Sequence, residues 1–220
     1  MRISVAIDGP AGAGKSTIAK LVAKEFDLMY INTGAMYRAV ALKAKENDLS
    51  PNMVNEICDL IETMEMEFQN DDLILNGVNI QDQITLPEIS SIVSAYASIQ
   101  EVRVKLVKLQ RDMSKKFNVI MDGRDIGTVV LKEAPFKFFL TATAEERATR
   151  RFKELQERNI ECSYDEILND IIERDYKDTH RVIDPLKKAD DALEVDTTGL
   201  NIDDVTEKIN TTIRNMINNK

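Results

Sequence analysis

Short apolar runs alternate with amphipathic stretches along this chain. Five runs rich in β-branched and aromatic residues have the length and composition of buried parallel strands, at residues 3–7, 29–32, 118–122, 136–140 and 192–195. Between them, apolar residues recur at the three- and four-residue spacing of helices that pack one face onto a sheet. The first predicted helix covers residues 14–25. The pattern predicts an α/β fold with a five-stranded parallel sheet and helices on both faces.

Further helices are predicted from caps and periodicity. Thr33 lies where an N-cap is expected for a helix that lasts to about Asn47. Ser50 followed by Pro51 predicts the start of the next helix, with serine as cap and proline at the first helical position. Two helices studded with basic residues are predicted at 144–158 and 164–181. The last predicted helix begins at about Asn201.

Antiparallel strands are predicted between residues 65 and 80. Apolar and polar residues alternate in Met66-Glu67-Phe68-Gln69, and Asn76-Gly77 separates two apolar runs, which is a strong β-hairpin signal. Such strands do not belong to a parallel sheet, so we predict a small inserted lobe that also holds helices at 87–98 and 100–116. The predicted single unit of 1–220 therefore divides into three parts: a core (1–59, 117–145 and 182–220), an inserted lobe (60–116), and a lid with its following helix (146–181).

Composition and charge narrow the functional classes. The 220 residues carry a net charge of −9, which argues against a broad nucleic-acid surface. No stretch approaches the ~20 apolar residues of a membrane span, and no signal-peptide run precedes the first strand, so we expect a cytoplasmic protein. Cys58 and Cys162 have no cysteine or histidine nearby in the sequence, and we expect both to be reduced. The single histidine, His180, excludes a multi-histidine metal site and a histidine-based triad.

One motif predicts nucleotide binding. Gly9-Pro10-Ala11-Gly12-Ala13-Gly14-Lys15-Ser16-Thr17 matches the phosphate-loop pattern G-x-x-x-x-G-K-[ST], between a predicted strand and a predicted helix. Its glycines allow backbone N–H groups to face phosphate oxygens, and the helix start adds free N–H groups. Lys15 is expected to reach the β- and γ-phosphates, and Ser16 to ligate Mg²⁺. The alternative is a glycine-rich turn that binds nothing, which the flanking strand and helix disfavour.

Charged residues follow the predicted strands, where the carboxyl ends of a parallel sheet form a ligand crevice. Asp122 ends a strand and is the predicted second Mg²⁺ ligand; a capping or turn aspartate is the alternative. Arg124 and Asp125 follow in the next loop, where an arginine can bind phosphate while the acid accepts a hydrogen bond from the substrate. The alternative for these two residues is a local ion pair.

Arginines cluster in the carboxyl half of this acidic chain, at Arg147, Arg150, Arg151, Arg158, Arg174 and Arg181. Phosphoryl transfer needs such side chains because charge spreads over the transferring oxygens. Arg174, Asp178 and Arg181 are spaced i, i+4 and i+7, which predicts that all three share one helix face. For some of the other arginines we expect a solvated face with glutamates as partners one turn away.

Four segments together resemble the bacterial cytidylate kinases, a family of P-loop nucleoside monophosphate kinases. They are the phosphate loop, Thr33-Gly34-Ala35-Met36-Tyr37-Arg38, Asp122-Gly123-Arg124-Asp125-Ile126-Gly127-Thr128, and Glu173-Arg174-Asp175 to Pro185. The resemblance runs essentially end to end and includes an insert that binds the monophosphate. It implies transfer of the ATP γ-phosphate to CMP or dCMP with Mg²⁺. We expect a monomer that acts on these small molecules and binds neither nucleic acid nor membrane.

The resemblance implies roles for individual residues. The catalytic residues would be Lys15, Arg124 and Arg181, and the Mg²⁺ ligands Ser16 and Asp122. The ATP site would comprise Gly9, Pro10, Ala11, Gly12, Ala13, Gly14, Lys15, Ser16 and Thr17, with Arg151 and Arg158 from the lid. The acceptor would be held by Thr33, by Arg38, Arg124 and Arg181 at its phosphate, by Ser94, Arg103 and Asp125 at cytosine, and by Arg174 and Asp178 at the pentose. Thr33 stands where relatives often have serine, and Asn32 where they often have aspartate.

Two other functions stay open. A kinase for another small acceptor, such as UMP or shikimate, would share the phosphate loop. Arg103 and Asp125 argue against it, since cytosine offers an acceptor at N3 and a donor at its amine. From a different class, a regulatory protein would bind ATP and turn over no acceptor. A GTPase is disfavoured because no N-K-x-D segment follows the strand-end loop.

Overall fold

A computed structural model describes residues 2–157 and 159–218. Its strands are β1 (Ser4–Asp8), β2 (Met29–Asn32), β3 (Met66–Gln69), β4 (Asp72–Leu75), β5 (Val78–Asn79), β6 (Val119–Gly123), β7 (Phe136–Thr141) and β8 (Leu193–Asp196). Its helices are α1 (Lys15–Phe26), α2 (Thr33–Glu46), α3 (Val54–Glu62), α4 (Gln81–Ile84), α5 (Pro87–Ala97), α6 (Gln100–Lys116), α7 (Ala144–Glu157), α8 (Tyr164–His180) and α9 (Ile202–Asn218). Within the described residues, no helix combines the length and apolarity needed to cross a bilayer.

The main sheet has five strands in the order β2-β6-β1-β7-β8, and every neighbouring pair is parallel. Side chains alternate between its two faces. Val5 and Ile7 of β1 pack into an apolar cluster with α1 and α9, whereas Ala6 packs into a second cluster with α2 and α6. The predicted parallel α/β sheet with helices on both faces is therefore confirmed.

The predicted antiparallel segment forms a separate three-stranded sheet in the order β3-β4-β5. Asn76 (φ 50°) and Gly77 (φ 78°) both adopt the left-handed region, as a type I′ hairpin turn requires. The side-chain oxygen of Asn76 also accepts a hydrogen bond from the Glu65 N–H at 2.7 Å. Phe68 and Leu73 pack into the same apolar cluster as α2, so the small sheet is joined to the main one by a shared core.

Two of the predicted helix starts are wrong. Asn32, not Thr33, caps α2, because β2 runs straight into the helix and the Asn32 Oδ1 accepts from the Ala35 N–H at 2.9 Å. The helix predicted from Ser50-Pro51 begins instead at Val54. Residues 50–53 form a turn in which the Met53 N–H donates to the Ser50 carbonyl at 2.9 Å, and proline fits the second position of such a turn as well as a helix start.

The shared apolar core predicts the cost of opening a cavity on α6. Leu106 is 0% exposed there, whereas Val104, two residues away, is 63% exposed. We expect Leu106→Ala to lower the free energy of unfolding by about 2–5 kcal/mol, from lost burial and the cavity left behind. Val104→Ala is the matched control, with an expected change within about 0.5 kcal/mol. Urea unfolding of both variants checks this, and equal effects would contradict the packing described.

Candidate active site

A cleft of about 630 Å³ opens at the carboxyl ends of β1, β2 and β6. It is lined by the phosphate loop, the start of α2, parts of α5 and α6, the loop after β6, and α8. The cleft brings together most of the predicted site residues: Ala11, Gly12, Lys15, Ser16, Thr33, Arg38, Ser94, Arg103, Asp122, Arg124, Asp125, Arg174, Asp178 and Arg181.

Some predicted residues do not line this cleft. Five belong to the phosphate loop: Gly9, Pro10, Ala13, Gly14 and Thr17. Arg151 lies on the exposed side of α7, where its Nη1 donates to Glu154 at 2.8 Å. Arg158 lies outside the described residues. The prediction that Arg151 and Arg158 contact ATP therefore stays a prediction.

The phosphate loop packs tightly against β7. A Cβ built on Gly9 (φ +149°) would lie 2.1 Å from the Leu140 carbonyl oxygen, so only glycine fits there. Lys15, at the start of α1, donates from its Nζ to the Pro10 carbonyl at 2.6 Å. Burial, with the nearby charge of Arg124, lowers the pKa of Lys15 to about 7. A phosphate group bound at this loop would stabilise the charged form of the Lys15 side chain.

Asp122, at the end of β6, joins three elements. It accepts from the Ser16 hydroxyl at 2.8 Å and from the Tyr30 hydroxyl at 3.0 Å, and the Thr33 hydroxyl donates to its main-chain carbonyl at 2.7 Å. Within the described residues, no three His, Cys, Asp or Glu side chains cluster as a metal site. One hydroxyl and one carboxylate suit Mg²⁺, which keeps several waters and takes further oxygens from phosphates. The donor set fits the predicted ion.

Asp8 positions the loop after β6. Its carboxylate accepts from the backbone N–H groups of Ile126 and Gly127, both at 2.7 Å, at the start of a single π-helical turn, Ile126–Val130. The loop residues just before this turn, Arg124 and Asp125, line the cleft. Burial raises the pKa of Asp8 to about 6, and the two backbone hydrogen bonds act in the opposite direction. No motif in the sequence marked this positioning role.

Three arginines converge on one side of the cleft. The Nε atoms of Arg38 and Arg174 are buried and have no hydrogen-bond partner in the part of the chain described. Burial lowers the pKa of Arg38 to about 10, and burial with the Arg124 charge also lowers the pKa of Arg174. Arg124 donates to Asp178 at 2.6 Å. Because buried donors without partners are costly, an anion bound here would supply the acceptors that the Nε atoms of Arg38 and Arg174 lack among the described residues.

A second cluster of charged side chains lines the same cleft. Arg103 and Asp125 form a short buried ion pair, and the Arg181 Nη2 donates to the other Asp125 oxygen at 3.3 Å. Burial raises the pKa of Asp125, although both arginines act to lower it. The Arg103 guanidinium also lies 5.5 Å from the centre of the Tyr37 ring. The local Arg124–Asp125 ion pair weighed from the sequence is absent, since each residue pairs with a different partner.

The prediction of one helix face for Arg174, Asp178 and Arg181 is wrong in one respect. Helix α8 ends at His180, and Arg181 is its extended C-cap (φ −62°, ψ 142°). Its Nε donates to the main-chain carbonyl of Asp184 at 2.7 Å. All three side chains still line the same cleft.

Two arginines of α7 form hydrogen bonds to other parts of the protein and do not line the cleft. Arg147 is buried, donates to the Ala11 carbonyl of the phosphate loop at 3.0 Å, and makes two bonds to Asp175 on α8. Arg150 donates to the Thr197 carbonyl at 2.7 Å. Like Asp8, Asp175 had no role in the sequence analysis, because its arginine partner lies 28 residues away.

A parallel sheet with a phosphate loop and several arginines in one crevice is the arrangement expected of a P-loop phosphotransferase. The family model for cytidylate kinase matches residues 5–215. A cytidylate kinase of Clostridium perfringens (strain SM101) is 65% identical over 94% of this chain and 95% of its own length. One from Clostridium acetobutylicum is 60% identical over 95% of this chain and 96% of its own length. The chain belongs to the cytidylate kinase family, which confirms the resemblance seen in the motifs.

The fold is also similar to that of a solved structure. An uncharacterized protein from Eubacterium ventriosum superposes with a TM-score of 0.56. The sequences are 13% identical, and the match covers 98% of this chain and 99% of that one. At this level of identity the likeness concerns the fold alone.

The burial of Asp8 predicts a pH-dependent contribution to stability. With a pKa near 6 in the folded protein, against 3.8 as the ordinary value, Asp8 binds its proton more tightly when folded. Its contribution is therefore fully present below about pH 4 and is lost as the pH rises through about 6. The unfolding free energy of wild type minus that of Asp8→Asn should fall by about 2–3 kcal/mol between pH 4 and pH 7. A difference that stays constant or grows with pH would contradict this environment.

Proposed function

We propose that this protein transfers the γ-phosphoryl group of ATP to CMP or dCMP, giving ADP and CDP or dCDP. The observation that carries the proposal is the buried Arg103–Asp125 pair beside an arginine site for an anion, opposite a phosphate loop. Similarity to proteins named cytidylate kinase supports the same acceptor. The residue roles that follow belong to this proposal.

The donor end is formed by the phosphate loop. Backbone N–H groups of residues 9–17 and the Lys15 ammonium would hold the ATP phosphates. Ser16 and Asp122 would hold Mg²⁺, which when bound neutralises phosphate charge and orients the γ-phosphoryl group. Lys15 then keeps a positive charge beside the oxygens on which negative charge develops. Arg151 and Arg158 would add contacts from the lid.

The acceptor phosphate would sit among the arginines. The buried Arg38 Nε has no hydrogen-bond partner among the described residues, and Arg124 and Arg181 line the same cleft. Bidentate contacts from guanidinium groups would orient the attacking phosphate oxygen toward the γ-phosphorus and offset the repulsion between two anions. Arg174 and Asp178 would contact the pentose. The Thr33 hydroxyl already donates a hydrogen bond to the Asp122 main-chain carbonyl.

The base would be selected by complementary hydrogen bonds. Cytosine N3 accepts a hydrogen bond, which Arg103 can donate, and its amine donates one, which the Asp125 carboxylate can accept. Ser94 on α5 lines the same part of the cleft. Uracil offers N3–H and a carbonyl instead, so both protein groups would face a like partner. Such mismatches cost roughly 1–3 kcal/mol each, or about fivefold to 150-fold in selectivity per mismatch.

A coupled assay of ADP release over a panel of acceptors tests the proposal. We expect CMP and dCMP to be turned over with kcat/KM at least about tenfold above that of UMP. Preference for UMP or shikimate would replace the proposal by a kinase for another acceptor. ATP binding without turnover of any acceptor would replace it by a nucleotide-binding regulatory protein.

Lys15 provides a test of the donor site. We expect Lys15→Ala to lower kcat by roughly a hundredfold or more with the fold intact, because the developing charge loses a fixed partner. Lys20→Ala is the matched control on the same helix, since the Lys20 side chain is half-exposed and its ammonium lies 3.7 Å from Asp71. Near-normal turnover by Lys15→Ala would refute this assignment of the donor site.

Asp125 provides a test of base selection. An asparagine at this position can turn its amide so that it donates toward uracil. Asp125→Asn should lower kcat/KM for CMP and reduce the CMP-to-UMP ratio of kcat/KM by about tenfold or more. The KM for ATP should change little. Steady-state kinetics with both acceptors measures this. Equal losses for CMP and UMP would make Asp125 only an ion-pair partner.

A further inference from the structure

Arg103 is held by three protein acceptors. Its Nε donates to Asp184 at 2.8 Å, its Nη1 to the Ala97 carbonyl at 3.3 Å, and its Nη2 to Asp125 in a short bond. The side chain is 2% exposed. A guanidinium group has five N–H donors, so these bonds leave one N–H on each terminal nitrogen for a ligand. The direction of those two N–H groups depends on how Nε is anchored.

The Asp184 carboxylate is presented by a firmly held turn between α8 and β8. Asp184 adopts φ +47°, in the left-handed region that aspartate tolerates better than most residues. Its main-chain carbonyl accepts from Arg181, and the nearby Leu186 N–H donates to the Asp178 carbonyl at 2.8 Å. The backbone that carries this carboxylate is therefore held by hydrogen bonds to two residues of the cleft, Arg181 and Asp178.

Positive and negative side chains alternate along a series of ion pairs that includes Arg103, and their charges cancel. Arg181 pairs with Asp125, Asp125 with Arg103, and Arg103 with Asp184. Without the Asp184 carboxylate, two guanidinium groups would share the single carboxylate of Asp125. The Arg103 Nε would also lose its acceptor in a nearly water-free position, and the side chain would rotate to find another.

We infer that Asp184 is a positioning residue that sets base selectivity by fixing the orientation of the Arg103 guanidinium. This inference rests on the proposed function. With Nε held by Asp184, the free N–H groups of Arg103 keep one direction. In that direction they favour binding of cytosine, whose N3 accepts a hydrogen bond, over uracil, whose N3–H cannot. A guanidinium free to rotate discriminates less between the two bases.

Two substitutions distinguish the effect of the Asp184 carboxylate from the effect of the backbone conformation at this position. Asp184→Gly removes the side chain and fits φ +47° without strain, whereas Asp184→Asn keeps an acceptor and loses the charge. We expect the CMP-to-UMP ratio of kcat/KM to fall by about tenfold in the glycine variant and by about threefold in the asparagine variant. The loss should lie in the KM for CMP, with kcat and the KM for ATP within about twofold of wild type. Asp190→Asn, exposed in the same connection to β8, is the control with an unchanged ratio.

The outcomes are distinct. A CMP-to-UMP ratio of kcat/KM that stays within twofold of wild type in both variants would overturn the inference. If the glycine variant does not fold, the same result in the asparagine variant alone would overturn it. Equal losses for CMP and UMP would also overturn it and make Asp184 a purely structural residue. If wild type and the Asp190→Asn control turn over no CMP, the proposed function itself fails, and this result differs from an unchanged ratio in active enzymes.

Discussion

Burying several guanidinium groups in one cleft is the constraint on which this structure depends. A buried charge is tolerated only when an opposite charge or hydrogen-bond acceptors replace its lost water. Asp178 pairs with Arg124, and Asp125 and Asp184 pair with Arg103. Arg38 and Arg174 keep buried Nε donors without a partner in the described residues. The balance thus leaves positive charge where an anionic substrate would supply the missing partner.

The parallel sheet brings this charge next to the phosphate loop. In the register of β1 and β6, Asp8 lies opposite Gly123, so the loops that follow the two strands begin side by side. The Asp8 carboxylate then ties the second loop to the first strand, and Asp122 ties the second strand to Ser16 of α1. Gly123 has no room for a side chain, since a Cβ there would lie 2.6 Å from the Thr33 hydroxyl oxygen. The phosphate loop and the loop that carries Arg124 and Asp125 are therefore placed by the same few strand-end contacts.

The sequence predicted those features whose signals are local. The parallel strands, the hairpin at Asn76-Gly77 and the phosphate loop all follow from patterns of a few residues, and the structure confirms them. The contacts made by Asp8 and Asp184 could not be predicted in this way, because their partners lie 118 and 81 residues away and are brought near only by the fold. The cap of α2 was missed by one residue because β2 enters the helix without a loop. The roles of the individual site residues stay predictions.

The central claim is that the ion-paired Arg103 and Asp125 form the cytosine site, and that Arg38, Arg124 and Arg181 form the phosphate site. A crystal structure of the protein with CMP bound tests it most directly. We expect the cytosine amine within hydrogen-bond distance, about 2.7–3.2 Å, of the Asp125 carboxylate, and the phosphate on Arg38 and Arg124. A base located away from Asp125, or a phosphate that leaves Arg38 without a partner, would contradict the account.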